Sequence, residues 1–234
     1  MVKKCLLSSV LCATLLGATA EAGQSGLFLG FGGTFSFGGE GIVSAGAGST
    51  GGSVSSFFSG KTSLLGGGAE LTVGYKTFFL SWLGLRGYAS VDYSLMAFEK
   101  IVQASFEDGI AMALDTALNV DVLFDIIPTD AFSLGVFAGI SGGMRYWHGP
   151  LLTNMAQITT TQNFFGTFGM NAGVSMGFGR RSNLEVFTKI PFLANEIIKG
   201  GIATVTGPYA IGLRFTFTFA SGGSSINNPA AILE

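Results

Sequence analysis

Charge is scarce in this sequence: Asp, Glu, Lys and Arg make up 11% of its 234 residues, against about 25% in an ordinary soluble domain. A water-facing surface needs more charge than this to stay dispersed. One histidine and two cysteines, Cys5 and Cys12, are present, which leaves little for a metal centre or a disulfide framework. No metal site and no cofactor is expected. Beyond the first residues there is no run of about 20 mostly apolar residues, the length a spanning helix needs. The longest uncharged stretch, Gly149 to Gly179, is full of Gly, Thr, Asn and Gln. The net charge of −2 carries no basic patch, so nucleic acid is not expected as a partner.

What is abundant is glycine (37) and phenylalanine (22), in a chain 48% hydrophobic. Residues 1–22 read as a cleaved export signal: Lys3 and Lys4, an apolar run from Cys5 to Ala18, then Ala20-Glu21-Ala22. A cut after Ala20 fits nearly as well. Leu11 before Cys12 is too bulky for the usual lipoprotein site. Both cysteines leave with the signal, and 10 basic against 13 acidic residues remain, a net charge of −3.

The mature chain alternates with period two, the mark of strands whose two faces meet different surroundings. The first strand, Leu27 to Phe37, sets Leu27, Leu29, Phe31, Phe35 and Phe37 against Gly30, Gly32, Thr34 and Ser36. Seven more follow: Ala69 to Lys76, Leu85 to Leu95, Leu114 to Asp125, Phe132 to Ser141, Phe168 to Gly177, Leu184 to Ile190 and Tyr209 to Phe219. Long connections (Gly38–Gly66, Phe98–Met112, His148–Asn163, Leu193–Pro208) alternate with short ones (Leu80–Gly84, Ile127–Ala131, Gly179–Asn183). That alternation predicts an all-β, eight-stranded, antiparallel up-and-down transmembrane barrel over residues 23–219. Lipid offers no hydrogen bonds, so a spanning sheet must close on itself. A soluble barrel with an apolar interior would need more exposed charge. Aromatic residues near the strand ends (Phe78, Phe79, Trp82, Tyr146, Trp147, Phe217, Phe219) suggest interfacial girdles.

The face predicted to point inward carries six acids (Glu70, Asp92, Asp115, Asp121, Asp125, Glu185) and five bases (Lys76, Arg86, Arg145, Lys189, Arg214). Eight strands leave an interior just wide enough for side chains to fill, so these charges are expected to pair and plug the barrel. A narrow ion path is the alternative.

Other motifs weigh less. Gly46-Ala47-Gly48-Ser49-Thr50-Gly51 matches a dinucleotide pattern, but no amphipathic helix follows. Gly139-Ile140-Ser141-Gly142-Gly143 and Gly173-Val174-Ser175-Met176-Gly177 match a nucleophile elbow, yet no acid lies between Ser141 and His148 and no histidine follows Ser175. A lipid-modifying Ser/His site around His148 is the remaining enzymatic reading, and no catalytic residue is expected. The first long connection is Gly/Ser-rich, and its Phe57 and Phe58 are expected to pack at the barrel mouth.

The last strand, Tyr209-Ala210-Ile211-Gly212-Leu213-Arg214-Phe215-Thr216-Phe217-Thr218-Phe219, resembles the C-terminal signal read by barrel-assembly machinery, with Gly212, Phe215, Phe217 and Phe219 carrying the likeness. Asn171-Ala172-Gly173 and Leu184-Glu185-Val186-Phe187-Thr188-Lys189-Ile190-Pro191 resemble the Helicobacter-type outer membrane protein family. The likeness is clearest over Phe164 to Phe219, with a weaker echo in Gly26–Gly33 and Gly68–Tyr93. It implies a bacterial outer-membrane location, contact with outer-membrane lipid and lipopolysaccharide, and handling by the assembly machinery. Some relatives in that family act as adhesins or porins. One departure is that Ala220 to Glu234 continue past the final Phe as a small, polar tail expected to be disordered. Read together, the sequence suggests a surface-exposed structural or adhesion role with a host or cell-surface ligand. A porin-like channel for small solutes or ions is the alternative.

Overall fold

The computed structural model describes residues 25–38, 40–41, 64–98, 110–129, 131–150, 152–153, 163–179, 181–198, 203–206 and 208–219. The expected signal (1–22) and tail (220–234), the Gly46–Gly51 motif, and Phe57 and Phe58 lie outside the described residues.

Eight long strands close into one antiparallel barrel: β1 (Gly26–Gly38), β3 (Leu64–Leu80), β4 (Leu83–Phe98), β5 (Ile110–Pro128), β6 (Phe132–His148), β7 (Phe164–Phe178), β8 (Ser182–Pro191) and β11 (Tyr209–Thr218). Their order round the wall is β1-β11-β8-β7-β6-β5-β4-β3, and β3 closes the ring by pairing with β1. No edge is left, so the backbone polar groups of each barrel strand find partners on both sides. No helix among the described residues is long and apolar enough to cross a membrane; the crossing is made by strands.

The alternation expected from sequence appears as alternating burial. In β1, Phe28, Gly30, Thr34 and Ser36 are enclosed, while Leu27, Leu29, Phe31 and Phe35 are exposed. The most exposed large side chains, Leu118, Leu71 and Phe31, all sit on the outer wall. The apolar surface is therefore on the outside, opposite to a soluble protein, and only lipid makes such a surface favourable.

Apart from β11, which ends one residue early at Thr218, the barrel strands run beyond their sequence-expected limits. β5 is 19 residues long, whereas β8 and β11 have 10 each. At the short-connection end the turns are tight. Gly179 has φ 65°, a left-handed conformation that glycine adopts without penalty, between β7 and β8. Thr129 caps the β5–β6 turn: the Phe132 N–H donates to its Oγ1 at 3.2 Å.

Two expectations need correction. The connection Leu193–Pro208 is not free of regular structure: β9 (Ala194–Ile198) and β10 (Ala203–Thr206) form a three-stranded sheet with β2 (Glu40–Gly41), in the order β2-β10-β9. Each of these strands is the chain neighbour of one of the adjacent barrel strands β1, β11 and β8, so the small sheet prolongs that side of the wall. Pro208, which lacks an N–H for the ladder, marks the break between β10 and β11. The aromatic girdle is also smaller than expected. Trp82, Tyr146 and Phe219 are exposed as expected, but Phe78 and Trp147 are buried inside. Strand parity overrides nearness to a strand end: both residues fall on the inward register.

Candidate functional site

The interior holds an ionic network laid out by strand register. Adjacent strands bring Glu185, Arg214, Gly32, Glu70, Asp92, Asp115 and Arg145 into one row of direct neighbours. A second row runs Lys76, Arg86, Asp121, Gly139, Asn171, Lys189. Ten of the eleven sequence-expected charges lie in these rows; the other, Asp125, stands opposite Gly135. Because a closed barrel is sheared, such rows wind round the wall, and side chains of one row reach across to the other.

The resulting contacts form a chain. Arg86 donates to Asp121 Oδ2 from Nη2 at 2.7 Å and to Glu185 Oε1 from Nη1 at 2.5 Å. Glu185 Oε2 accepts from Arg214 Nε and Nη2 at 2.9 and 2.6 Å. Arg214 Nη1 lies 3.6 Å from Glu70 Oε1, which is 3.2 Å from Lys189 Nζ. Lys189 lies 3.7 Å from Asp92 Oδ2, which accepts from the Thr34 hydroxyl at 3.1 Å. Apart from this chain, Arg145 grips Asp115 in a two-pronged pair at 2.6 and 2.8 Å. Lys76 lies within electrostatic range of Asp125 and Glu185. An unpaired ion here would cost several kcal/mol, so the chain is also what allows the charges to be enclosed.

The aromatic residues packed against the two central arginines are missing from the sequence reading. Arg86 stacks over Phe137 at 4.7 Å and Tyr88 at 5.0 Å; Arg214 lies over Tyr88 and Phe187, each at 4.9 Å. Phe78, Leu123, Phe137 and Phe187 form an apolar cluster beside the ions. Strand parity is the signal that finds these rings, since each occupies an inward position. Space for Phe187 comes from Gly212, in register with it on β11: a Cβ at Gly212 would meet the Phe187 ring at Cε1, 2.7 Å away.

Gly139 does the same for the ions. It faces Asp121, and a side chain there would collide with Asp121 Oδ1 and the Val120 carbonyl. Gly139→Val is therefore expected to dislodge Asp121 from Arg86 and to cost about 1–3 kcal/mol, the usual scale of overpacking. A urea titration of the folded barrel in lipid vesicles checks this through the shift of its midpoint.

Toward the long-connection end the packing opens into a cavity of about 80 Å³ between Asp92, Asp115, Arg145 and Lys189. His148 is not part of it. Its Nε2 lies 3.3 Å from the Tyr93 hydroxyl and its ring stacks on Tyr146, whereas its Nδ1 has no hydrogen-bond partner. A general base normally needs a third group to orient it. The aromatic positions of the expected assembly signal lie along β11 and just past its end: Phe215 packs on Phe31 at 5.6 Å and Phe217 on Phe219 at 5.3 Å.

A closed barrel with an apolar outer wall, an ionic interior and no free edge is an integral outer-membrane β-barrel protein. Residues 70–219 match the Helicobacter outer membrane protein family, and the chain belongs to it, which places it in the bacterial outer membrane. Among solved structures it is similar to the outer membrane protein OprG from Pseudomonas aeruginosa, at 10% identity and a TM-score of 0.50 over 86% of this chain and 100% of that one. It is also similar to Neisserial surface protein A (11% identity, TM-score 0.43, 84% and 99% covered). A further similar structure is Ail, the attachment invasion locus protein of Yersinia pestis (12%, 0.41, 84% and 99%). The likeness to OprG concerns the fold. No curated protein matches the sequence.

Proposed function

We propose that this protein is a sealed membrane anchor whose long connections are displayed at the cell surface, in a structural or adhesive role toward a host or cell-surface ligand. The observation that carries the reading is the ion chain from Asp121 through Arg86, Glu185, Arg214, Glu70 and Lys189 to Asp92, which crosses the interior where a pore would have to run. With the lumen filled, the parts free to meet a partner are those beyond the wall. Outer-membrane lipid and lipopolysaccharide are the neighbours of the apolar belt, and the barrel-assembly machinery is the partner expected to read Gly212, Phe215, Phe217 and Phe219.

The competing reading is a narrow porin-like channel. Planar-bilayer recordings of the purified protein separate the two: the sealed anchor gives no steady conductance, and regular ion-conducting steps would refute it. Adhesion is tested by replacing residues 42–63 and 99–109 with short Gly/Ser linkers. Attachment of the expressing cells is expected to fall while the heat-dependent gel shift of the folded barrel persists. Unchanged attachment would remove the adhesive role.

A further inference from the structure

The rim of the barrel drops where β8 stops. The ladder between β7 and β8 ends at Gly169 and Pro191, followed by one backbone bond from the Phe192 N–H to the Phe168 carbonyl at 2.8 Å. Pro191 has no N–H with which to carry the ladder on. The chain then turns away, and β9 pairs with β10 instead of β7. Gly166 and Thr167 of β7 are therefore matched on one side by Met144 and Gly143 of β6, while no β8 residue stands opposite them on the other. The interior cavity reaches this notch. Thr167 and Lys189, at inward positions, line it together with Phe168 and Ile190, at outward positions of the same two strands. A void bounded by both faces of one wall passes through that wall. Phe168, Phe192 and Leu193 are exposed around the notch and make its outer side apolar. Across the barrel the mouth is packed: Met96, Ala111, Ala113, Trp147 and Leu152 are buried at the long-connection ends of β4, β5 and β6 and just past β6.

We propose that the notch is a side entrance through which one uncharged single-chain amphiphile, a straight alkyl chain ending in a hydroxyl, enters the cavity from the surrounding lipid. The occupant comes from lipid because lipid is what the outer wall faces, and the exposed Phe168 and Leu193 offer an alkyl chain the same surroundings as the belt. Its head is uncharged because the charges in the lining already hold one another: Arg145 grips Asp115 through two hydrogen bonds, and Lys189 lies between Glu70 and Asp92. An ion entering here would displace one of those partners. A hydroxyl need not, since Ser90 and Ser141 also line the cavity and a hydroxyl both donates and accepts. Ala117, Pro191 and Ala210 complete a lining that suits the first carbons of the chain. A volume of about 80 Å³, at roughly 10–15 Å³ per water-sized atom, admits about five to eight non-hydrogen atoms, a range that includes hexanol. The site ends blind on the ion chain, so it is a binding place and not a path across the membrane.

Quenching of Trp147 tests this. The Trp147 ring lies 5.5 Å from the guanidinium of Arg145, which lines the cavity. The sequence has two tryptophans, so Trp82→Phe leaves Trp147 as the sole emitter. The full chain carrying that change is folded into phosphatidylcholine vesicles and titrated with 6-bromohexanol, a short-range quencher. Quenching is expected to saturate, and excess hexanol is expected to relieve it while hexylammonium and hexanoate do not. Leu193→Asp, at the exposed outer side of the notch, should weaken binding by about tenfold or more, the scale of one lost apolar contact. Ser141→Leu, which fills the cavity from within, should abolish it. The gel shift on heating reports folding of each variant, and Leu193→Asp alters an exposed position that the fold does not depend on. Quenching that rises in proportion to added bromohexanol without saturating, as simple partitioning into the bilayer would give, would overturn the proposal. So would equal relief by the charged analogues, or unchanged affinity in a folded Leu193→Asp protein, which would place the entrance elsewhere.

Discussion

Replacing Glu185 with Ala lowers the free energy of unfolding by about 3–5 kcal/mol, the cost of leaving buried charge without its partner. Among the described residues Glu185 is the one acid shared by both central arginines, accepting from Arg86 at 2.5 Å and from Arg214 at 2.6 and 2.9 Å. Among the described acids, its loss leaves Arg214 with the long contact to Glu70 at 3.6 Å and Arg86 with Asp121. The rings of Tyr88, Phe137 and Phe187 around these guanidinium groups restrict the water that could take over. Urea unfolding in lipid vesicles, followed by tryptophan fluorescence, measures the change. A loss below about 1 kcal/mol, the scale of an exposed ion pair, would mean that the interior is wet and the chain does not hold the barrel together.

A charge placed on the outer wall has a comparable effect with the opposite geometry. Val120, in the middle of β5, is 54% exposed, and its neighbours in register are Gly87 and Ile140. Val120→Arg is expected to cost about 2–4 kcal/mol, as for arginine facing lipid near the bilayer midplane. Ile126, on the same face near the short-turn end of β5, is 57% exposed. Ile126→Arg should cost only about 0–1 kcal/mol, since the penalty fades toward the interface. Exposure in the absence of lipid is nearly equal at the two positions, so depth in the bilayer is the difference being read. Equal costs, or none, would contradict a membrane-embedded wall.

The architecture was legible because lipid and lumen impose opposite demands on successive residues. Period-two patterning needs no tertiary information, and the eleven inward charges could be named from it. What stayed hidden depends on register. Arg86 and Glu185 are 99 residues apart, and nothing local says which arginine meets which acid; strand pairing and shear decide. Phe28, Tyr88, Phe137 and Phe187 are hard to place from sequence because an aromatic in an apolar strand suggests lipid, although their parity places them inside. Phe78 and Trp147 look interfacial from their nearness to strand ends, but parity places them inside as well. The small sheet β2-β10-β9 lacked a signal because strands of two to five residues carry too few alternations to be recognised.

Alternation between oil and an ion-filled interior is tested most directly by a single-site nitroxide scan along β5. Cys5 and Cys12 are the only native cysteines and lie outside the barrel strands. Labels placed one at a time at residues 117 to 124 are examined in vesicles against a lipid-soluble paramagnetic quencher. Strong quenching is expected at 118, 120, 122 and 124 and weak quenching at 117, 119, 121 and 123. Uniform quenching along the strand, or the reverse alternation, would contradict the account.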